Sequence, residues 1–245
     1  MAFQKDTYYT GSKADSRSAA ETGLAKFMNT VYLWMAVGVA LSGAVAQWII
    51  SSPALLRSIM SGGTIMIIFI VQLVCVFAFN SVARRCSYPT LAALFLFYCG
   101  LTGLTFSIIL LAYTKTSITQ AFIAAAASFA ALSLIGLKLK RSLGPVRSFC
   151  MVGLVGLIVV QLIAFFVPSL YAGPGQQIIS SIGVLVFAGL TAYDNQRLKQ
   201  VYLANHSAGQ SFAQSQKLAL SGALTLYLDF INLFLFLLRL TGSRR

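Results

Sequence analysis

The chain has 245 residues, of which 58% are hydrophobic and only 9% are charged, and its formal net charge is +13. A soluble domain of ordinary composition carries about 25% charged residues. This composition therefore excludes a soluble globular protein and predicts that lipid surrounds most of the chain. The basic excess does not indicate nucleic-acid binding, because the Lys and Arg residues lie between hydrophobic segments, which is the pattern of membrane topology.

The first 24 residues are polar and contain no apolar core of the kind found in a signal peptide. We predict a disordered cytoplasmic tail at 1–24 and a single transmembrane domain at 25–245. The first membrane helix is then expected to act as the insertion signal.

Seven segments are long and apolar enough to cross a bilayer, which takes about 20 residues of helix. They lie at about 27–50, 63–82, 89–112, 117–137, 148–168, 177–198 and 218–240, and a polar stretch at 200–216 separates the last two. The apolar runs are continuous and do not alternate with polar residues, which disfavours a β-barrel. The predicted fold class is an all-α membrane protein with seven transmembrane helices.

The basic residues predict the orientation of the chain. They are concentrated in the N-terminal tail and in the connections after the second, fourth and sixth spans. The positive-inside rule then predicts a cytoplasmic N-terminus. Arg239, Arg244 and Arg245 oppose the rule, because seven crossings place them outside, so the sequence leaves open whether the last segment crosses completely.

No metal centre or cofactor is indicated by the sequence. The four cysteines, at 75, 86, 99 and 150, are widely spaced, and His206 stands alone in the polar stretch, which we predict to be a loop. Widely spaced cysteines in apolar runs are typical of small buried hydrophobes. We therefore expect no cofactor.

Only two of the five acidic residues, Asp194 and Asp229, lie inside predicted spans. An acidic residue near the bilayer centre costs roughly 2.5–3.5 kcal/mol on insertion scales and usually faces the interior of the bundle. No Lys or Arg lies deep in any span, so the two carboxyl groups are each other's most obvious partners. The sixth and seventh spans are consecutive and are expected to be neighbours.

Polar residues accompany both aspartates. Thr191 shares a helix face with Asp194, and Thr225 and Asn232 share one with Asp229. Two neighbouring buried carboxyl groups cannot both ionise at low cost, so we expect them to share a proton.

Such a pair would be protonated and closed at mild acidity, and charged and mutually repelling at higher pH. Its oxygens would suit a hard cation such as calcium. The alternative is a protonated structural pair that locks the two helices together.

The segments that carry the aspartates are GVLVFAGLTAYDNQRLKQ at 183–200 and SGALTLYLDFINLFLFLLRLTGSRR at 221–245. They resemble the signature ends of the Bax inhibitor-1 family, also called transmembrane Bax inhibitor motif proteins. The resemblance extends through 27–43 and 101–122, and the overall form is similar to that of the bacterial members. It implies six helices around a central seventh and a location in the bacterial inner membrane.

The resemblance also implies that Asp194 and Asp229 match the family's paired aspartates, which are associated with a pH-dependent calcium leak. Both would then be candidate calcium ligands. It further implies that a basic residue at the end of the second span engages the pair in the closed state. Arg85 occupies this place, with Arg84 beside it as the alternative. The stretch LKLKRSLGP at 137–145 departs from the family, because members often carry an acid there.

The sequence also bears on two other function classes. Some bacterial relatives are linked to a membrane-bound ATP-dependent protease, which suggests a regulatory or scaffolding protein with the N-terminal tail as its docking element. An intramembrane aspartyl protease is disfavoured, because Tyr193-Asp194 fits only the first half of its motif and no Gly-x-Gly precedes Asp229. We expect a non-enzymatic monomer whose partners are calcium ions and the lipid bilayer, and no nucleic acid.

Overall fold

The computed structural model describes the backbone of residues 3–60, 63–167, 173–209 and 211–244, without the side chains of residues 3–19, 60, 80, 84, 165 and 166. Within these ranges the chain forms eight helices: α1 (Phe3–Ile50), α2 (Pro53–Met60), α3 (Thr64–Arg85), α4 (Tyr88–Ala112), α5 (Lys115–Lys138), α6 (Gly144–Phe166), α7 (Pro174–Ser207) and α8 (Phe212–Thr241).

Seven of the helices in the described ranges, all except the short α2, are long and apolar enough to cross a membrane. They coincide with the seven predicted spans, so the predicted fold class is confirmed. Proline stands in the first turn of α4, α6 and α7, where its missing N–H costs nothing and its fixed φ suits the helix. Thr114 caps α5 by accepting a hydrogen bond from the backbone N–H of Ser117 at 3.2 Å.

Helix α8 forms the centre of the bundle. In the most apolar 18-residue stretch of α8, 61% of the residues are buried. The corresponding stretch of every other spanning helix in the described ranges has at most 39% of its residues buried. It contacts α1, α3, α4, α5 and α7, and its Leu233 and Phe236 share an apolar cluster with Leu157 of α6. The expected arrangement of six helices around a central seventh is therefore confirmed. The peripheral α3 and α6 expose large apolar side chains such as Phe77 and Phe149, as lipid contact requires.

Two glycines on neighbouring helices allow close approach to α7 near Asp194. A Cβ atom at Gly136 of α5 would collide with the carbonyl oxygen of Ala192, and one at Gly222 of α8 would lie 2.7 Å from Leu198 Cδ2. The absence of a side chain lets both helices pack directly against α7, which is a common device where helices meet in lipid.

The polar stretch at 200–216 is mostly helical, which corrects the predicted loop. Helix α7 continues to Ser207, a turn containing Gly209 at φ 70 follows, and α8 begins at Phe212. Ser211 and Gln214 form a capping box at the start of α8. Polarity suggested a loop, but Gln, Lys and Ala are favourable helix formers. At about 1.5 Å per residue both helices exceed the roughly 30 Å of a hydrocarbon core, so they extend beyond it as a helical hairpin.

Helix α1 begins at Phe3, so the backbone of the segment predicted as a disordered tail is continuous with the first helix. The Ser-Ala-Ala-Glu run at 18–21 favours this continuation, because Ala and Glu have high helix propensity. Beyond it, Phe27 stacks on Tyr202 of the hairpin with ring centroids 4.8 Å apart. The start of the membrane-spanning part of α1 and the α7–α8 turn therefore lie at the same end of the bundle.

The C-terminal segment lies at the opposite end. The backbone N–H of Thr114 donates to the carbonyl oxygen of Ser243 at 3.2 Å, and Arg244 Nη2 donates to Gln176 Oε1 at 2.7 Å. Helix α8 therefore crosses the bundle completely, which answers the question left open by the basic C-terminus. Arg245 lies outside the described residues.

Candidate functional site: an aspartate pair between two cavities

Asp194 of α7 and Asp229 of α8 are in direct contact. Their side chains lie within hydrogen-bonding distance of each other. Asp229 is only 4% exposed, and Asp194 is partly buried. No N–H or O–H group whose placement is described donates to Oδ2 of Asp229. Two carboxyl groups form a hydrogen bond only when one of them carries a proton, so this geometry suits a proton-sharing pair.

The residue after Asp194 holds α7 in place. Asn195 is fully buried, and its Oδ1 accepts a hydrogen bond from the Tyr32 hydroxyl at 2.6 Å. Its Nδ2 donates to Ser133 Oγ at 3.1 Å and to the carbonyl oxygen of Thr191 at 2.8 Å. Asn195 therefore ties α7 to both α1 and α5, one residue from the acid.

Residues of α7 that follow Asn195 form hydrogen bonds with the end of α5 and with the connection between α5 and α6. Gln196 Nε2 donates to the carbonyl oxygens of Leu139 and Arg141 at 3.1 and 2.8 Å, and its Oε1 accepts from the Leu143 N–H at 2.8 Å. Lys199 Nζ donates to the carbonyl oxygen of Leu137 at 2.8 Å. These hydrogen bonds give partners to backbone carbonyl groups at and just after the C-terminal end of α5, where no N–H group of the same helix is available. Sequence reasoning missed this role, although a polar run from Asp194 to Lys199 within an apolar span was a visible signal.

The three supporting polar residues predicted from the sequence bind their own helices. Thr191 Oγ1 donates to the Phe187 carbonyl at 2.7 Å. Thr225 Oγ1 donates to the Ser221 carbonyl at 3.2 Å, and Asn232 Nδ2 to that of Leu228 at 2.8 Å. Their donors are thereby satisfied within the helix that carries them.

Two arginines, Arg197 and Arg147, lie close enough to Asp194 to interact with it electrostatically. Arg147 of α6 also lies over the ring of Tyr193, 5.5 Å from its centroid. Neither was predicted, although Arg197 follows Asp194 by one helical turn.

The basic residue predicted to engage the pair lies elsewhere. Arg85 ends α3 and is exposed, and no contact joins it to either aspartate among the described side chains. The side chain of Arg84 lies outside the described residues. A gating role for Arg85 or Arg84 stays a prediction.

Two cavities flank the pair. The first, which we name the hairpin cavity, has a volume of about 860 Å³ and is lined by Ala83, Asp194, Arg197, Leu198, Val201, Asn205, Gln214, Lys217, Leu218, Ser221, Gly222 and Thr225. The second, the distal cavity, has a volume of about 320 Å³, and its polar lining includes Gln72, Thr102, Asn232 and Arg239.

Asp229 lies where these cavities approach each other along α8. Thr225, one turn before it, lines the hairpin cavity, and Leu228 and Asn232, on either side of it, line the distal cavity. Along the helix axis the nearest lining positions, Thr225 and Leu228, are about 5 Å apart. The aspartate pair, of which Asp194 lines the hairpin cavity, therefore lies close to both that cavity and the mainly apolar distal cavity.

The comparisons with known proteins agree with this architecture. A family model described as "Inhibitor of apoptosis-promoting Bax1" matches residues 24–245.

The inner membrane protein YbhL of Escherichia coli K12 is 37% identical over 237 residues, covering 95% of this chain and 98% of YbhL. A protein of Deinococcus radiodurans is 40% identical over 218 residues, covering 89% of this chain and 90% of its own. A membrane protein of Streptococcus pyogenes serotype M1 is 39% identical over 232 residues, covering 91% and 95%. The chain is therefore a multi-pass membrane protein that belongs to the Bax inhibitor-1 family.

Proposed function

We propose that this protein is a pH-sensitive calcium leak of the bacterial inner membrane, gated by Asp194 and Asp229. The observation that carries the proposal is the contact between Asp194, which lines the hairpin cavity, and the buried Asp229, whose neighbours Leu228 and Asn232 line the distal cavity. A change in the contact between these two carboxyl groups would then connect or separate the two cavities.

The gating direction follows from the charge of the pair. With one proton shared, the carboxyl groups attract each other and hold α7 against α8. With both ionised, two negative charges face each other in a low-dielectric interior, where their repulsion is strong. Mild acidity therefore favours the closed state, and higher pH favours separation of the two helices.

The same charges attract a divalent cation when the gate opens. Calcium prefers six to eight oxygen ligands, and among the described residues no group of three or more His, Cys, Asp or Glu side chains is present. Two carboxylates supplemented by water would bind calcium weakly. Weak binding suits passage, because an ion must leave the site as well as enter it.

The proposed orientation places the N-terminus in the cytoplasm. The hairpin cavity then faces the cytoplasm, since it lies at the end of the bundle where the transmembrane part of α1 begins. The basic connections after the second, fourth and sixth spans support this choice under the positive-inside rule. We propose that the protein acts as a monomer without enzymatic activity, with calcium and lipid as its partners.

The test of this function is calcium flux into proteoliposomes that contain a calcium indicator. The initial rate should rise as the buffer on both sides is changed from mildly acidic to mildly alkaline. If one proton controls the gate, the rate should change by up to about tenfold per pH unit where the pair titrates. Protein-free liposomes with a calcium ionophore control for the pH response of the indicator. A rate that does not depend on pH would contradict the proposal.

A second candidate function is a regulatory or scaffolding role toward a membrane-bound ATP-dependent protease. One observation favours it: the family model begins at residue 24, so the preceding segment is an addition to the matched region that could serve a separate partner. Deletion of residues 1–24 should then abolish co-purification with such a protease and leave calcium flux intact. Undiminished co-purification of the shortened chain would count against the scaffolding role.

A further inference from the structure

The hairpin cavity carries an excess of positive charge. Of its lining residues only Asp194, Arg197 and Lys217 are charged. The single carboxyl group among them is already engaged with Asp229. The cavity wall is therefore cationic even when Asp194 is ionised, and more so when Asp194 holds a proton.

Among the described side chains the two cations share a single neighbouring acid, Asp194. Lys217 is only partly exposed, and it makes no hydrogen bond or ion pair with any residue whose side chain is described. Arg197 is exposed to the cavity, and the one acid with a described side chain that interacts with it is Asp194. Glu21, the one other acid with a described side chain, does not line the cavity. A partly buried charge without a partner is costly, and an anion in the cavity would remove that cost.

The rest of the wall suits a polar anion. Asn205, Gln214, Ser221 and Thr225 supply amide and hydroxyl groups around the two cations. A volume of about 860 Å³ is within the range of small-molecule sites, roughly 300–1,000 Å³. Arg and Lys together are a common pair for phosphate, because the guanidinium group binds two oxygens at once and the ammonium group adds a point charge.

We propose that the hairpin cavity binds a phosphate-bearing anion through Arg197 and Lys217. A free phosphate compound and the phosphate of an anionic lipid headgroup share this chemistry. Binding draws Arg197 away from Asp194, so the anion and the ionised carboxyl group compete for one guanidinium group. The site shares the hairpin cavity and Asp194 with the proposed calcium path, but its test measures anion binding and not flux, so the two proposals can fail separately.

The experiment uses the full chain in nanodiscs and has two arms. In the first arm, inorganic phosphate is titrated by calorimetry into protein in phosphatidylcholine nanodiscs. In the second arm, phosphatidylglycerol is added to the discs and its retention by the protein is measured by native mass spectrometry. Binding in the first arm alone identifies a soluble anion, and binding in the second alone identifies a lipid headgroup.

The variants separate a built site from general attraction. Arg197→Gln and Lys217→Gln should each weaken binding about tenfold or more, since each removes a charge-assisted hydrogen bond. Lys217→Arg should retain binding, and Asp194→Asn should strengthen it by freeing Arg197. Lys140→Gln is the matched control, because Lys140 is exposed and lies outside the cavity. The proposal is overturned if neither probe binds, or if Lys140→Gln weakens binding as much as Lys217→Gln.

Discussion

Asp229→Asn is expected to reduce calcium flux at alkaline pH at least about tenfold and to remove its dependence on pH. The amide of Asn has nearly the same shape as a carboxyl group and can donate a hydrogen bond to Asp194. It cannot ionise, so the repulsion that separates α7 from α8 no longer develops. The variant should therefore remain folded with the pair permanently joined.

The measurement is the proteoliposome assay, with the wild-type chain and the variant reconstituted at equal protein-to-lipid ratio. Glu21→Gln is the matched control, because Glu21 is an exposed acid on α1 and its neutralisation should leave flux and pH dependence unchanged. Unaltered flux in Asp229→Asn would instead favour the structural alternative, in which the pair only locks two helices together. In that case the variant would change the apparent Tm in detergent without changing flux.

Asn195→Ala is expected to lower the free energy of unfolding by about 2–4 kcal/mol. The substitution removes the hydrogen bond that Asn195 accepts from the partly buried Tyr32 hydroxyl and the one that it donates to the buried Ser133 hydroxyl. A buried polar group left without a partner costs about 1–3 kcal/mol. The loss should also loosen α7 beside Asp194 and so raise calcium flux at mildly acidic pH.

Gln200→Ala is the matched control on the same helix, because Gln200 is exposed and such a substitution should change stability by no more than about 0.5 kcal/mol. Thermal unfolding in detergent compares the two variants. A double-mutant cycle with Tyr32→Phe isolates the hydrogen bond, since the two losses should be clearly less than additive. Equal stabilities of Asn195→Ala and Gln200→Ala would show that the network contributes nothing.

The membrane spans and the aspartate contact were predictable because both follow from the cost of polarity in lipid. A helix of about 20 apolar residues has few alternatives to crossing the bilayer, and an acid within it must find a polar partner. Because Asp194 and Asp229 are the only acids in the predicted spans, each was the most obvious partner for the other. The central place of the last helix came from the family resemblance, and its burial agrees with it.

The surroundings of the pair were less predictable, because they depend on how each helix is rotated and where it ends. Arg147 approaches Asp194 from the neighbouring helix α6, which spacing along one helix cannot reveal. The helical hairpin at 200–216 was predicted to be a loop because the segment is polar, although its residues are compatible with a helix. Because the extension of α7 and α8 through this segment was not predicted, the cavity lined by Arg197 and Lys217 could not be predicted either.

The position of α8 has a consequence for biosynthesis. Helix α8, which has the highest buried fraction of the spanning helices in the described ranges, is also the last of them in chain order. During translation the preceding helices enter the membrane without the element around which they pack. A ribosome that stops before Phe212 leaves helices that can still pack in pairs, such as α1 with α4, but that lack the helix at the centre of the bundle. Assembly of the complete bundle is thus delayed until α8 has been synthesised.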